Sequence, residues 1–482
     1  MKKKKAGALS AGALFLSYFL LTFVGSYMLP KRVKRRIQRA VHPHLFYGDP
    51  HREGPDRIEL IERPEQAFDE RIRIIEAATE RLDISCHCIQ WGVCAKYIFS
   101  CLFAAADRGV KIRLILDGKL HGLNGPAKPV LCELARHPNI EFKLYNPLNL
   151  LTPWRWNSLL HDKFIIADDR LLILGGRNIG DQYFNSFGYD GAVCNDRDVL
   201  VYNRFHGTEV SDRSVLTQVR QYMDMLWTYK HTRPIRHHVS TKARRQGLAM
   251  RQNLKTEYQS LRKMRPELFG LTSRDFSAMT VPTFKITLIH NPINTSKKEP
   301  WVGYQLRSLA MTARSSITLQ SPYVVAGKPM RKAFRRMVAR TGDVTLLTNS
   351  IASSPNFPAF SYYLNTRKRL LKTGMTIYEL QSRDSIHGKS YLMDGRFSAV
   401  GSLNLDDRSL YIDTETMLVI DSPAFNRQLT HAVNAYKSKS RIVSKKNRYL
   451  PNDDVVEVPV SGLKKWLMHA VSYVTRLIRF LV

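Results

Sequence analysis

Short apolar runs, separated by turn residues and by stretches of helical spacing, recur through most of the chain. Arg81 to Ile89 and Ser316 to Val324 predict strands. Each precedes a helical stretch (Tyr97 to Arg108; Lys332 to Arg340), a second strand (Val110 to Leu116; Val344 to Leu347) and a third (Ile140 to Tyr145; Met375 to Leu380). Alternating strand and helix argues for an α/β fold with helices covering sheets. Because the two series match in order, an internal duplication is expected. It comprises two α/β/α sandwich units, residues 61–230 and 284–440, packed face to face with pseudo-twofold symmetry.

The segments outside these units differ in pattern. Residues 1–30 hold Lys2 to Lys5 and then an uncharged run, Ala6 to Pro30, long enough to cross a bilayer, which needs ~20 apolar residues. A cleaved signal peptide is the competing reading. The absence of a small-x-small site and the basic cluster that follows (Lys31, Arg32, Lys34, Arg35, Arg36) favour an uncleaved single-pass anchor. Lysine and arginine flank the run on both sides, so the positive-inside rule assigns no orientation. Residues 31–60 read as a basic juxtamembrane linker, and 231–283 as a basic, partly helical connector. In the connector, Arg236, His237 and His238 are either phosphate ligands or, the favoured reading, a solvated cationic face.

The tail, 441–482, ends in a helical pattern. Leu463, Trp466, Leu467, Ala470, Val471, Val474, Leu477, Ile478 and Leu481 share one side, and Lys464, Lys465, Arg476 and Arg479 the other. That pattern suits a helix lying in a membrane interface; a helix docked on the protein's own core is the alternative.

Charge sharpens this picture. The chain carries 74 Lys and Arg against 41 Asp and Glu, a formal net charge of +33 in 482 residues, which predicts attraction to nucleic acid or to an anionic membrane surface. The six cysteines all lie in the first half, without the spread of a disulfide framework. Cys86-His87-Cys88 sits in an apolar run with no second cluster of zinc-like spacing, so core thiols are expected rather than a metal site.

The repeat carries the chemistry. His161-Asp162-Lys163 and Asp168 lead to Gly175-Gly176-Arg177-Asn178; His387-Gly388-Lys389 and Asp394 lead to Gly401-Ser402-Leu403-Asn404. Each His precedes its Asn by 17 residues. On a strand, residues i and i+2 point the same way, so each His and Lys face one side together. Brought together across the interface, two imidazoles and two ammonium groups suit a phosphodiester. One imidazole attacks phosphorus, the other moves protons, and Lys163 and Lys389 neutralise the non-bridging oxygens.

Asn178, Asn404 and Ser402 are candidate phosphate-binding residues beside close-approaching glycines. Asp198 and Glu415 are candidate histidine-orienting carboxylates, Asp198 behind His161 and Glu415 behind His387; the competing reading makes them surface acids. Asp168 and Asp394 complete the catalytic set and, lying at the turns after the motif strands, are expected to hold loop geometry. No metal or other cofactor is expected, since the lysines supply the positive charge.

These residues resemble the phospholipase D superfamily signature, H-x-K-x4-D followed by Gly-Gly/Ser-x-Asn. Gly175 to Phe184 and Gly401 to Ser409 are most similar to bacterial cardiolipin synthases of the C-type branch. The resemblance implies His161 as nucleophile and His387 as general acid/base. It also implies phosphatidyl transfer to phosphatidylglycerol with release of glycerol or ethanolamine, the latter from phosphatidylethanolamine, in the cell (inner) membrane. Cys86-His87-Cys88 departs from the aromatic residues usual there, and Asp407 stands where a Pro often precedes Arg-Ser. A phospholipase D hydrolase using water is the alternative. A nuclease of the same superfamily is disfavoured, and no nucleic-acid partner is expected, because residues 6–30 would have no use in one.

Overall fold

A computed structural model describes residues 12–27, 31–235, 240–270, 275–477 and 479–481. Arg236, His237 and His238 lie outside the described residues, as do Ala6 to Ala11, Met28 to Pro30 and Ile478.

The first sheet contains β1 (Asp56–Ile61), β2 (Arg81–Cys86), β3 (Lys111–Asp117), β4 (Ile140–Tyr145), β5 (Phe164–Ala167), β6 (Leu171–Gly175), β8 (Asp198–Asn203), β9 (Thr232–Pro234) and β10 (Val281–Pro282). Its order is β10-β1-β8-β6-β5-β2-β3-β4-β9. The second contains β11 (Lys285–His290), β12 (Ser316–Gln320), β13 (Asp343–Asn349), β14 (Thr376–Leu380), β16 (Lys389–Met393), β17 (Phe397–Gly401), β18 (Thr416–Asp421) and β19 (Ser440–Ile442), in the order β11-β18-β17-β16-β12-β13-β14-β19. Strand for strand, the second order repeats β1-β8-β6-β5-β2-β3-β4-β9. In each sheet the three strands that alternate with helices are parallel, and the rest are antiparallel. The duplication read from the sequence is therefore a duplication of sheet topology. β9 and β10, which complete the first sheet, come from the connector.

Both faces of each sheet are buried, which is why the strands read as nearly continuous apolar runs. Phe164 and Ile166 of β5 point into a core shared with Leu392 of β16 and Leu418 of β18, whereas Ile165 and Tyr391 point outward. The helices Val215–Thr228 and Pro423–Lys437 contribute Leu216, Tyr222, Leu226, Phe425 and Leu429 to that shared layer. The connector helix Thr241–Met264 lies on the outside of the first unit and buries only Gly247, Leu254 and Leu261. That sparse stripe explains why its sequence reads as polar and basic.

A short two-stranded sheet crosses between the units. β7 (Cys194–Asn195) of the first pairs in parallel with β15 (Ser385–Ile386) of the second, immediately before His387. This crossing fixes the register of one unit against the other at the place where the motifs meet.

At the termini, residues 12–19 are helical and continue as a π turn, Leu20–Val24. Among the described residues no helix is long and apolar enough to cross a membrane. The helix Gly462–Leu477 rests on Phe357–Leu371 through Met468, Ser472 and Thr475. Leu463, Trp466, Leu467 and Val474 of the predicted apolar side are exposed.

Candidate active site

Each motif strand begins at the inter-unit seam. His161 and Lys163 lie just before β5; His387 lies just before β16, which Lys389 opens. Asp162, of opposite parity, turns into the shared layer and accepts a hydrogen bond from Tyr222 (2.8 Å). The counterpart of Asp162 is Gly388, where an added Cβ would lie 3.3 Å from Arg197 and Gln320. The variable position between His and Lys is therefore set by packing.

The carboxylates are exchanged between units. Glu415 of the second unit meets Nδ1 of His161 at 3.0 and 3.1 Å. Asp196 of the first unit meets Nδ1 of His387. Backbone contacts seat both pairs: His161 donates its N–H to Thr414 Oγ1 (2.9 Å), Thr414 to the Leu159 carbonyl (3.1 Å), and His387 to the Asn195 carbonyl (2.6 Å).

This arrangement corrects the expected pairing on two counts. Glu415 faces His161, not His387. Asp198 faces neither histidine; it is buried between Arg71 and Arg177, each at 3.0 Å. Arg177 in turn donates to the carbonyl of Asp196, and its backbone N–H also donates to Asp198 (3.4 Å), so Asp198 bears on the site through Arg177. The register gives the reason. Gly175 lies opposite Asp198, whereas Gly401 lies opposite Met417, which makes Asp196 the equivalent of Glu415. The first hairpin carries a longer excursion than the second, so spacing from the motifs does not locate the acid, and matching the starts of the two strands picks Asp198, two residues beyond Asp196. Two residues is one strand period, and alternation alone does not distinguish Asp196 from Asp198.

Other assignments also change. The Ser402 hydroxyl donates to Glu415 Oε2 and accepts from the Thr416 N–H (3.0 Å), so it holds the carboxylate instead of binding phosphate. Asp168 and Asp394, grouped with the catalytic residues by their motifs, stand away from the imidazoles. Asp168 accepts from the backbone of Thr79, Glu80 and Arg81, and Asp394 from that of Arg314, Ser315 and Ser316. Both adopt positive φ (50° and 52°) in the turns that follow the motif strands. Asn178 donates to the Tyr183 hydroxyl (3.2 Å), and the buried Oδ1 atoms of Asn178 and Asn404 have no protein partner. A side chain at Gly176 would strike Asp196 and the Lys389 chain, so the glycine there is a steric requirement of the site.

Residues to which the sequence gave no catalytic role surround the histidines. His87 stands edge-on to His161 with ring centroids 5.2 Å apart, and its Nδ1 is 2.7 Å from the Leu160 carbonyl. Tyr183 and Tyr323 flank His387 at 5.8 and 5.9 Å. Cys86 and Cys88 are free thiols. Alternation could have placed His87 at the strand end, but nothing in its neighbours marks it as facing a second histidine.

The two halves differ electrostatically. Burial, then the ammonium of Lys163, holds His161 well below the ordinary imidazole range, so it is neutral and nucleophilic at neutral pH. His387 is lowered to about 4 by burial and Lys389, against the opposing pull of Asp196. Burial raises Asp196, but Lys389 and His387 outweigh it and hold the carboxyl below its usual range. Glu415 is raised well above its usual range by burial, which Lys163 only partly offsets. The firmly ionised carboxylate thus stands behind His387, where it stabilises an imidazolium.

Burial also brings Lys163 down to about 8. Activity should therefore fall at acid pH only below the ordinary histidine range, as His161 protonates, and fall again above pH ~8 as Lys163 loses its proton. In Lys163→Arg the guanidinium stays charged, so the alkaline limb should move to higher pH even if the rate drops. A pH–rate profile of both forms checks this; an unmoved alkaline limb would assign it to another group.

The described geometry, with two imidazoles, two lysines and crossed carboxylates on duplicated α/β units, defines a phospholipase D superfamily enzyme. Residues 72–227 and 306–436, more than half of the chain, match the family described as cardiolipin synthase, PLD-like domain, and the chain belongs to that family as a phosphatidyltransferase. It is 28% identical to cardiolipin synthase C of Escherichia coli strain K12 over 75% of this chain and 80% of that one. It is 26% identical to cardiolipin synthase B of the same strain over 80% of each. Phosphatidylserine synthase of Haemophilus influenzae shares the fold, with a TM-score of 0.62 at 15% identity over 88% of this chain and 95% of that one.

Proposed function

We propose that the enzyme moves a phosphatidyl group to phosphatidylglycerol through a phosphohistidine on His161. The observation that carries this reading is the engagement of both Nδ1 atoms by carboxylates of the opposite unit. Each Nε2 is then the nitrogen free of a carboxylate, and that of His387 stands 3.3 Å from Lys389 Nζ, where a phosphoryl oxygen would meet both.

In the first step Nε2 of His161 attacks phosphorus and the bond to the leaving alcohol breaks. His387, whose imidazolium form is favoured once the anionic phosphodiester enters beside it and Asp196 stands behind it, gives its Nε2 proton to that oxygen, releasing glycerol from a phosphatidylglycerol donor or ethanolamine from phosphatidylethanolamine. In the second step the hydroxyl of the acceptor phosphatidylglycerol returns a proton to His387, attacks phosphorus and breaks the P–N bond. Lys163 and Lys389 neutralise the phosphoryl oxygens in both steps, and Asn178 and Asn404 donate to them. Expression in a host lacking cardiolipin tests the reaction. Cardiolipin should accumulate with the intact chain and not with His161→Ala. Accumulation of phosphatidic acid alone would instead identify a hydrolase.

A membrane location is part of the proposal, with residues 6–30 as the anchor; the first unit takes in β1, β9 and β10 beyond the expected 61–230, and the second takes in the end of β19 beyond 284–440. The support for this location is a set of apolar surfaces joined by contact. The Tyr18 hydroxyl donates to the Leu151 carbonyl (2.9 Å), Phe19 and Phe23 pack on Trp156, and Tyr27 stacks on Phe480 beyond the C-terminal helix. Beside them Leu148, Leu150 and Leu151 are 59, 65 and 77% exposed in the loop leading to His161. Changing all three leucines to Ser should weaken binding to phosphatidylglycerol vesicles by at least about tenfold, given the worth of burying each side chain. Turnover of a short-chain, water-soluble donor should be unaffected. Equal vesicle binding in a sedimentation assay would place this loop away from the bilayer.

A further inference from the structure

On the outer face of the second sheet, the helices Trp301–Ala310 and Lys328–Thr341 enclose a cavity of about 560 Å³ that the catalytic arrangement does not use. Its volume falls within the range of small-molecule sites, roughly 300–1,000 Å³. The floor is hydrocarbon: Leu306, Phe334, Met337, Leu403 and Leu405 are buried there. The mouth is cationic. Lys31, Arg32, Arg307, Lys328 and Lys332 rim it, all exposed, and no acidic residue lies among the described lining residues.

Those two properties select the occupant. A nucleotide or sugar would leave its polar groups unpaired against the floor. A neutral apolar molecule would give five rim cations nothing to meet. An amphiphile with one hydrocarbon tail in the cavity and an anionic head at the mouth satisfies both. Position agrees, because Lys31 and Arg32 follow the apolar N-terminal run and so stand where headgroups would be.

We propose that this cavity holds one acyl chain of an anionic phospholipid, with the lipid phosphate among the rim cations. The proposal rests on the phospholipid reading above and deepens it. Leu403 and Leu405 flank Asn404, so an occupied cavity supports the loop that presents this asparagine to substrate. The chain belongs either to the substrate itself or to a separate lipid seated beside the site.

The test uses the full chain in phosphatidylcholine vesicles containing phosphatidylglycerol with a diazirine on one acyl chain. After irradiation, adducts should map to the peptides around Phe334, Met337 and Leu405. Ala333→Phe, which fills the cavity from its lining, should cut that labelling by about tenfold, the effect of excluding two or more methylenes. Lys328→Glu with Lys332→Glu, both exposed and harmless to folding, should cut it for phosphatidylglycerol and leave labelling by a diazirine phosphatidylcholine unchanged. Adducts confined to residues 12–27 and 463–476, with both variants labelling as the parent does, would overturn the proposal.

Two kinetic outcomes then name the source. If Ala333→Phe turns over a dibutyryl donor normally but a long-chain donor with raised KM, the chain is the substrate's own. If kcat on the dibutyryl donor also falls, a separate lipid occupies the cavity. Labelling reads occupancy and not turnover. Cavity adducts without cardiolipin synthesis would therefore refute the reaction and leave the site standing.

Discussion

Replacement of His161 by Ala is expected to abolish transfer, whereas replacement of His387 by Ala should leave a slow first half-reaction that stalls. The asymmetry of the site predicts this difference. His161 is neutral and carries its lone pair at Nε2, so without it no nitrogen attacks phosphorus. His387 supplies only protons, a contribution of typically 10²–10⁴-fold, and a donor with a good leaving group needs none of it to form the intermediate. With a radiolabelled phosphatidyl donor bearing an activated leaving group, His387→Ala should retain label on the protein after acid-free denaturation. The label should lie on the peptide containing His161, and His161→Ala should carry none. Label on His387 instead would reverse the two roles.

The second large effect concerns the carboxylates. Asp196→Asn and Glu415→Gln should each lower kcat by about 10²–10⁴-fold with little change in KM, since each removes the group that fixes an imidazole tautomer. The background that can be read is His387→Ala, through first-step labelling by the activated donor. There Glu415→Gln should keep nearly its full loss, and Asp196→Asn should produce almost no further loss. Such cycles measure coupling between contacting residues directly. If Glu415 coupled to His387, the exchange of carboxylates between units would be wrong. Asp198→Asn offers a contrast. Leaving two guanidiniums buried against a neutral amide, it should chiefly lower stability, visible in a thermal melt, and reach activity through Arg177 and the carbonyl of Asp196.

Much of this was legible in the amino-acid pattern. Strand alternation and two H-x-K-x4-D blocks in register determined the α/β class, the duplication, both imidazoles, both lysines and the family, because these depend on local spacing. β4 begins and ends where its apolar pattern does, at Ile140 and Tyr145. The turn roles of Asp168 and Asp394 were legible for the same reason, their place at the strand end.

Which carboxylate serves which histidine emerged from the packing of the two units. The answer crosses from one unit to the other and depends on a hairpin excursion whose length differs between them, a difference that motif spacing does not register. Tertiary packing also decided that Ser402 holds Glu415, that His87 faces His161, and that the C-terminal helix keeps its apolar side outward while docking through Met468, Ser472 and Thr475. The first is a contact across one hairpin and the other two join segments far apart in the chain. Periodicity says which side of an element is apolar or polar; only packing says what that side meets.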